Sequence, residues 1–252
     1  MTENDPFAAR PGDVAPPAAS SPQAPAAPGM IPGAMPPPSY SPDYTVPFDR
    51  SGVPLEKPEG LAKGLIIVAA LTTLLTVVAA LFAPDAVEAI RESAGSTDLD
   101  FSYTGADIAS FFSFPLGIAA FVLYGLWMTR MRRNREALGA KPGLPAVEWW
   151  GWFVPAANAV LVPLGARKVT GRAVPLGLLL GWWIPWALSF VLSIVGFVLV
   201  VFALDLNTGD LARPEFLDAY LGVVWVTAAL VVVSFVFFMQ FIRTATQRHL
   251  ES

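Results

Sequence analysis

The sequence contains no cysteine, and its single histidine, His249, stands near the end of the chain. Without cysteine there is no disulfide framework, no thiolate nucleophile and no cysteine metal site. Charged residues are also scarce, at 14% against 54% hydrophobic residues, and the mean hydropathy is +0.55. This composition is too apolar for an ordinary soluble domain and indicates an integral membrane protein.

Charge is absent from four long apolar runs, which are residues 65–83, 108–128, 176–204 and 219–242. The shortest run spans about 28 Å as a helix, which is close to the thickness of the bilayer core. We therefore predict an all-α integral membrane protein with four transmembrane helices. Because the runs also lack histidine, they offer no intramembrane acid or base for a proton-coupled transporter, a serine hydrolase or a zinc site.

The first 60 residues hold 15 of the 24 prolines and have no apolar periodicity that builds a core. Proline removes amide donors and fixes the backbone, so we predict a disordered, proline-rich cytoplasmic tail over residues 1–60. Pro37, Pro38 and Tyr40 form a Pro-Pro-x-Tyr run, which can dock into an aromatic groove of a protein partner. The alternative is a plain spacer.

Lysine and arginine are distributed unevenly along the runs. The loops expected from Pro84 to Asp107 and from Asp205 to Asp218 are acidic, whereas the opposite ends of the runs are basic. Cytoplasmic loops of membrane proteins carry an excess of Lys and Arg. The basic ends, and with them both termini, are therefore predicted to face the cytoplasm across the cell membrane.

One further hydrophobic stretch, residues 148–165, is rich in tryptophan and flanked by basic residues on both sides. If it does not cross the bilayer, Lys and Arg near the membrane divide 13 inside against 2 outside; if it crosses, the division is 9 against 6. We therefore predict a re-entrant or interfacial segment, with a fifth span as the alternative. The membrane domain then covers residues 61–245, and residues 246–252 form a short cytoplasmic tail.

A basic cluster follows the second run and comprises Arg130, Arg132, Arg133, Arg135 and Lys141. The cluster orients the chain, and its Arg130 to Arg135 part is also a candidate site for anionic lipid headgroups. Glu148 lies within reach of Arg132 or Arg135 and is predicted to form an ion pair. The formal net charge of −4 and the position of these cations beside apolar runs argue against nucleic-acid binding.

A stripe recurs every four positions in the third run, at Gly177, Gly181, Pro185, Ser189 and Ser193, and all of its members but the proline are small. Such stripes allow close helix packing, either within one chain or between copies in a homo-oligomer. The second run has a similar stripe at residues 109, 113 and 117, so we expect the two helices to pack together.

Asn158 is the one polar side chain in the middle of the 148–165 stretch. An unpaired amide at that depth is costly, so Asn158 is expected to bond backbone groups freed near Pro155. A ligand-binding role is the alternative, because intramembrane polar groups are candidates for function.

Three groups of residues carry a resemblance to a known family. The first lies at the end of the second run, the second in the Trp-rich stretch and the third at the start of the third run. The members are Trp127, Arg130, Arg132 and Asn134; Trp150 (or Trp149), Gly151, Trp152, Phe153, Pro155, Asn158 and Pro163; and Gly181, Trp182 and Trp183. Residues 62 to 245 thereby resemble the bacterial, mainly actinobacterial, membrane proteins grouped as domain of unknown function 4328. The resemblance implies the multi-pass fold and supplies no catalytic residue.

The sequence thus predicts a non-enzymatic membrane interaction or scaffold protein, without catalytic residues, cofactor or metal site. Its expected partners are the lipid bilayer, a second copy of the chain and a protein bound by the proline-rich tail. The alternative is a small channel or transporter whose path is lined by residues 148–165, since irregular backbone at membrane depth lines cavities.

Overall fold

The computed structural model describes residues 48–49, 52, 54–94, 104–154, 158–205, 208 and 210–250. The predicted disordered tail lies, up to residue 47, outside the described residues. Within the described part the protein is all-α, with two isolated β-bridges. The helices are α1 (Glu59–Leu81), α2 (Ala83–Ser93), α3 (Gly105–Ala137), α4 (Val147–Trp150), α5 (Asn158–Thr170), α6 (Leu176–Ala203) and α7 (Glu215–Arg248), with a 3₁₀ turn at Gly151–Phe153.

Four helices, α1, α3, α6 and α7, are long and apolar enough to cross a membrane. The predicted all-α membrane fold with four transmembrane helices is therefore confirmed. Most of these helices continue beyond the apolar runs. At the start of α3, Thr104 and Asp107 form a capping box that satisfies free backbone amides. At its other end, α3 continues through the arginine cluster, because arginine is a good helix former.

The Trp-rich segment, residues 148–165, is divided among α4, the 3₁₀ turn and the first part of α5. The longest of these elements, α5, has 13 residues and a length of about 20 Å, which is short of the bilayer core. Proline 155, which lies between α4 and α5, falls outside the described residues. The described part of the segment therefore contains no spanning helix.

The expectation of a loop from Pro84 to Asp107 is wrong for its first half, which forms α2. Pro84 occupies the first turn of that helix, where proline is tolerated because its missing amide has no helical partner. Val87 is 1% exposed and packs with Ala203 and Leu217, whereas the acidic side chains point outward. The loop prediction missed this short amphipathic helix because its charges outnumber its apolar anchors.

Packing joins α1 to α3, α6 to α7 and α1 to α7. The largest fully buried side chains include Trp127, Met128 and Met131 of α3 and Phe241 and Ile242 of α7. Many apolar side chains of the spanning helices are exposed on the outer surface, which suits contact with lipid rather than water. The core is concentrated toward one end of the bundle.

That end, here called the basic end, is formed by the start of α1, the end of α3, α4, α5, the start of α6 and the end of α7. The segment expected as a short tail is in part a continuation of α7, and His249 is 0% exposed. At the opposite end, Arg91 of α2 binds Asp218 of α7 at 2.7 Å. The two ends of the bundle therefore differ in charge, as the loops of the sequence do.

Candidate functional site

A buried ion pair fastens the Trp-rich segment to the end of α3. Arg132 Nη2 donates to Glu148 Oε2 at 2.7 Å, and Arg132 Nε donates to Glu148 Oε1 at 3.0 Å. The same guanidinium donates to the carbonyl oxygens of Gly143 and Leu144, at 2.9 and 3.2 Å. Leu144 and Ala146 have left-handed backbone, with φ of 44° and 55°, which is costly for residues other than glycine. Arg132 thus stabilises the strained turn at Leu144–Ala146. The predicted ion pair of Glu148 is confirmed.

This geometry corrects the lipid prediction at one residue. Arg132 is 7% exposed and fully engaged with Glu148 and two carbonyls, so it does not present its charge to lipid headgroups. Arg130 and Arg133 are exposed, and Arg130 Nη2 lies 3.7 Å from Glu56 Oε2. The accessible cations of the Arg130 to Arg135 stretch therefore include Arg130 and Arg133.

A polar bridge joins the segment before α1 to the ends of α3 and α7. The Asn134 amide nitrogen donates to the Glu56 carbonyl oxygen at 2.9 Å and lies 3.0 Å from His249 Nε2. His249 Nδ1 lies 3.0 Å from the Thr246 carbonyl oxygen, so this nitrogen carries the ring proton and Nε2 accepts from Asn134. Burial lowers the pKa of His249, and the charges of Lys57 and Arg135 act in the same direction. The imidazole is therefore held neutral.

A second link between α3 and α7 begins about two turns earlier on α3. The indole nitrogen of Trp127, which is 0% exposed, donates to the Thr246 hydroxyl at 2.9 Å. That hydroxyl donates in turn to the Ile242 carbonyl oxygen at 2.7 Å. Trp127 and Asn134 are seven residues apart and share one face of α3, which is how a single helix makes both links.

The Trp-rich segment divides its residues between the surface and the interior. Trp150 and Phe153 are exposed, whereas Gly151 is buried. A Cβ added at Gly151 would lie 3.2 Å from the Val147 side chain. Trp152 points inward and stacks edge-to-face on Tyr124, with ring centroids 5.8 Å apart. The segment is thus neither an exposed loop nor a continuous helix.

The second half of the segment is attached to α6. The backbone amide of Asn158 donates to the Val154 carbonyl at 3.0 Å, and Pro163 lies inside α5. The indole nitrogen of Trp183 donates to the Ala159 carbonyl at 2.8 Å, which satisfies a backbone group near the start of α5. The predicted bond from Asn158 to backbone near Pro155 concerns residues outside the described ranges.

Aromatic rings fill the space between the segment and the helices. Trp183 stacks on Trp186 with centroids 4.6 Å apart, and Trp182 stacks on Phe241 at 5.2 Å. Trp152 meets Trp186 edge-to-face at 5.4 Å. Such pairs add about 0.5–1.5 kcal/mol each beyond the area they bury. The tryptophans of the family resemblance are therefore mostly interior packing residues.

The small-residue stripes serve different purposes along their helices. An added Cβ at Gly181 would lie 2.5 Å from Phe237, so Gly181 permits the close packing of α6 on α7. Ser189 is buried, whereas Gly177 and Ser193 are exposed. The expectation that the stripes of the second and third runs pack together is wrong, because α3 packs on α1 and α6 packs on α7.

A cavity of about 410 Å³ occupies the space between the four spanning helices. Gly117 of α3 and Ser189 of α6 both line it. Its walls are aromatic or aliphatic with a few hydroxyls, and none of its lining residues is charged. Tyr124 and Trp152 also line it, and the Tyr124 hydroxyl and the Trp152 indole nitrogen are buried without a hydrogen-bond partner in the described structure.

Sequence reasoning missed Tyr124, Thr246 and His249 as members of these sites. The signal was present in part, since Thr246 and His249 are three residues apart and share a helix face with the apolar run before them. Nothing in the sequence marks Tyr124 as lining a cavity. Among the described residues no three His, Asp or Glu side chains come together as a metal site.

Comparison with known proteins places these features in a family. No curated protein and no solved structure matches the chain. One family model matches residues 93–243, which run from the end of α2 into the last third of α7 and contain the ion pair and the Trp-rich segment. The chain belongs to the family described as domain of unknown function (DUF4328).

Proposed function

We propose that this protein is a non-enzymatic membrane interaction or scaffold protein, whose proline-rich tail binds a protein partner. The observation that carries this is the attachment of the segment before α1. Asn134 binds the Glu56 carbonyl at 2.9 Å, Arg130 lies 3.7 Å from the Glu56 carboxylate, and Leu55 is 8% exposed. Glu56, shortly before α1, is therefore anchored beside the exposed Arg130 at the basic end.

We further propose that the basic end faces the cytoplasm of the cell membrane, with both termini on that side. Its support is the 13 to 2 division of Lys and Arg, together with the clustering of the basic segments at one end of the bundle. In this orientation Arg130 and Arg133 contact anionic headgroups, at about 1 kcal/mol per cation near the surface.

The test compares the partners that crosslink to the full chain and to a chain lacking residues 1–47. Residues 48–58 are kept, because deleting them would also remove the Glu56 anchor. A second variant, Tyr40→Ala, disrupts only the Pro-Pro-x-Tyr run. It leaves the tail length and proline content unchanged, so it separates the motif from the rest of the tail. We expect partners to be lost on deletion, and an unchanged partner set would contradict the proposal.

A second candidate function is a small channel or transporter with a path lined by residues 148–165. The observation in its favour is that Trp152 brings this segment to the wall of the intramembrane cavity. Flux through reconstituted protein, measured with and without Asn158→Leu, tests this candidate. Flux that the substitution leaves unchanged would exclude a path along the segment.

A further inference from the structure

The Trp-rich segment begins beside the end of α3 and follows that helix toward its middle. Glu148 binds Arg132, and the indole nitrogen of Trp149 donates to the Thr129 hydroxyl at 3.0 Å. Arg132 lies beyond the second apolar run, which ends at residue 128, and Thr129 lies at the edge of that run. The segment therefore starts at the level where the apolar part of α3 ends.

The next contacts lie further along α3. Trp152 meets Tyr124 edge-to-face with ring centroids 5.8 Å apart, and Phe153 meets Phe121 in the same way at 5.6 Å. Phe121 lies nine residues before Arg130, the first exposed cation at this end of α3, which corresponds to about 13 Å along the helix axis. Half of the bilayer core is about 15 Å thick. With α3 crossing the bilayer, Phe153 lies near the depth of the midplane.

The second half of the segment returns along α6. Trp183 donates from its indole nitrogen to the Ala159 carbonyl at 2.8 Å, and Arg167 donates from Nη1 to the Val174 carbonyl at 2.6 Å. Between Ala159 and Arg167 the helix α5 rises by about 12 Å. Over the same interval the partner residue changes from Trp183, inside α6, to Val174, just before its first residue. The helix α5 therefore runs antiparallel to the first part of α6 and returns to the basic end.

One face of α5 packs into the core, and the opposite face is exposed and apolar near its start. Val160 and Leu164 lie four positions apart on the exposed face, and the next residue at this spacing is the exposed Lys168. Phe153 and Val160 are 74% and 63% exposed, and no residue from 149 to 166 is charged. Exposed apolar side chains at this depth are stable against hydrocarbon, whereas the ammonium group of a lysine reaches the headgroups.

We infer that residues 148–168 form a re-entrant hairpin that reaches the middle of the bilayer, and that its outer face binds the acyl chains of the lipids on the basic side. The outer face comprises Phe153, Val160 and Leu164, and it continues the exposed apolar surface of the spanning helices. A segment lying flat in the interface would contact α3 at one level, whereas the observed contacts extend over eleven residues of α3. The inference rests on the predicted entry and exit of the segment on one side, but not on which side is cytoplasmic or on the partner of the tail.

Spin labels on the full-length protein, reconstituted in vesicles of phosphatidylcholine and phosphatidylglycerol, measure the depth of this segment. The accessibility of each label to oxygen and to the nickel chelate NiEDDA gives its distance from the headgroups. We expect Lys168→Cys to be shallow, with Leu164→Cys and Val160→Cys deeper by about 6 and 12 Å, because four helical residues span about 6 Å. Equal, shallow depths at all three would show a segment lying in the interface and overturn the inference, while leaving entry and exit on one side intact.

Three exposed residues of α6 supply the matched depth scale. The antiparallel contacts of α5 and α6 place three pairs of exposed positions at equal depth, and these pairs are 160 with 184, 164 with 180, and 168 with 176. Labels on Ile184→Cys, Leu180→Cys and Leu176→Cys should each agree with their counterparts within one helical turn, about 5 Å. A label at position 160 that is shallower than the label at position 180 would contradict the return of α5 along α6.

The label at position 164 also identifies what covers the outer face. Acyl chains predict greater access for oxygen than for the nickel chelate, and a spectrum that does not change when labelled protein is diluted with unlabelled protein. Greater access for the nickel chelate would indicate a water-filled path. Spin–spin broadening that dilution removes would indicate a second copy of the chain, and either result would overturn the lipid contact.

Discussion

Arg132 and Glu148 meet at 2.7 Å in the interior of the basic end, where both side chains are buried. The pair joins residues sixteen positions apart and fixes the entry of the Trp-rich segment against α3. Two further hydrogen bonds, from Asn134 to His249 and from Trp127 to Thr246, hold the end of α7 against α3. The end of α3 is therefore the centre to which the other elements of the basic end are attached.

Removing one member of the buried ion pair should be strongly destabilising. Glu148→Gln leaves the Arg132 charge buried without a counter-ion, and we expect a loss of about 3–5 kcal/mol in the free energy of unfolding in detergent. Asp218→Asn is the matched control, because it breaks an exposed pair of the same 2.7 Å length with Arg91 and should cost less than about 1 kcal/mol. Similar losses for the two variants would contradict the structural role of the pair.

Stability should fall in mild acid because of His249. Burial lowers the pKa of this residue in the folded protein, whereas in the unfolded chain the pKa is about 6.5. The unfolded chain therefore binds the proton first, and stability is lost as the pH falls below about 6.5 toward the folded-state pKa. Protonation would also place an N–H against the donating amide of Asn134.

Melting temperatures at pH 7.5 and 5.5 measure this effect. Other titrating groups act equally in the wild type and in His249→Gln, so the difference between the two proteins isolates the histidine. We expect a larger acid-induced drop for the wild type. The same drop in both would show that His249 does not carry the pH dependence.

The link between α3 and α7 through Thr246 should also be measurable. Thr246→Val leaves the Trp127 indole N–H buried without an acceptor, and we expect a loss of about 1–3 kcal/mol. Thr170→Val is the comparison, because that equally buried hydroxyl bonds only the Ala166 carbonyl of its own helix. Its loss should stay below about 1 kcal/mol, and the reverse order would be inconsistent with the Trp127 bond.

Two glycines of α3 should differ in their response to alanine. At Gly125 an added Cβ would lie 2.5 Å from the Trp149 ring, so Gly125→Ala should displace that ring and cost about 1–3 kcal/mol. At Gly117 nothing lies within 4 Å, so Gly117→Ala should be neutral or stabilise the helix by up to about 1 kcal/mol. Thermal unfolding of both variants in one detergent makes the comparison, and destabilisation at both sites would refute it.

The four spanning helices were predictable because each requires about twenty consecutive apolar residues, and such runs are visible in the sequence. The ion pair of Glu148 was predictable for a related reason, since a charge beside apolar sequence needs a partner within reach of its own segment. The helix α2 was missed, because only Val87 and Ile90 mark its buried face among several charges.

The cavity between the spanning helices could not be predicted from the sequence. Tyr124 sits in an ordinary apolar run, and its missing partner becomes visible only when four helices and Trp152 are placed around it. The same holds for His249, whose burial depends on α3 and on the segment before α1. Asn134 and His249 are 115 positions apart, and no local pattern encodes such a contact.

We propose that the Trp-rich segment enters and leaves on the same side of the membrane. Because the chain has no cysteine, single cysteines at Lys141, Arg172 and Thr208, all exposed, can be labelled in intact cells with an impermeant maleimide. We predict labelling at position 208 and protection at both 141 and 172, with all three labelled once the cells are opened. Opposite labelling of positions 141 and 172 in intact cells would show that the segment crosses the bilayer and would contradict the account.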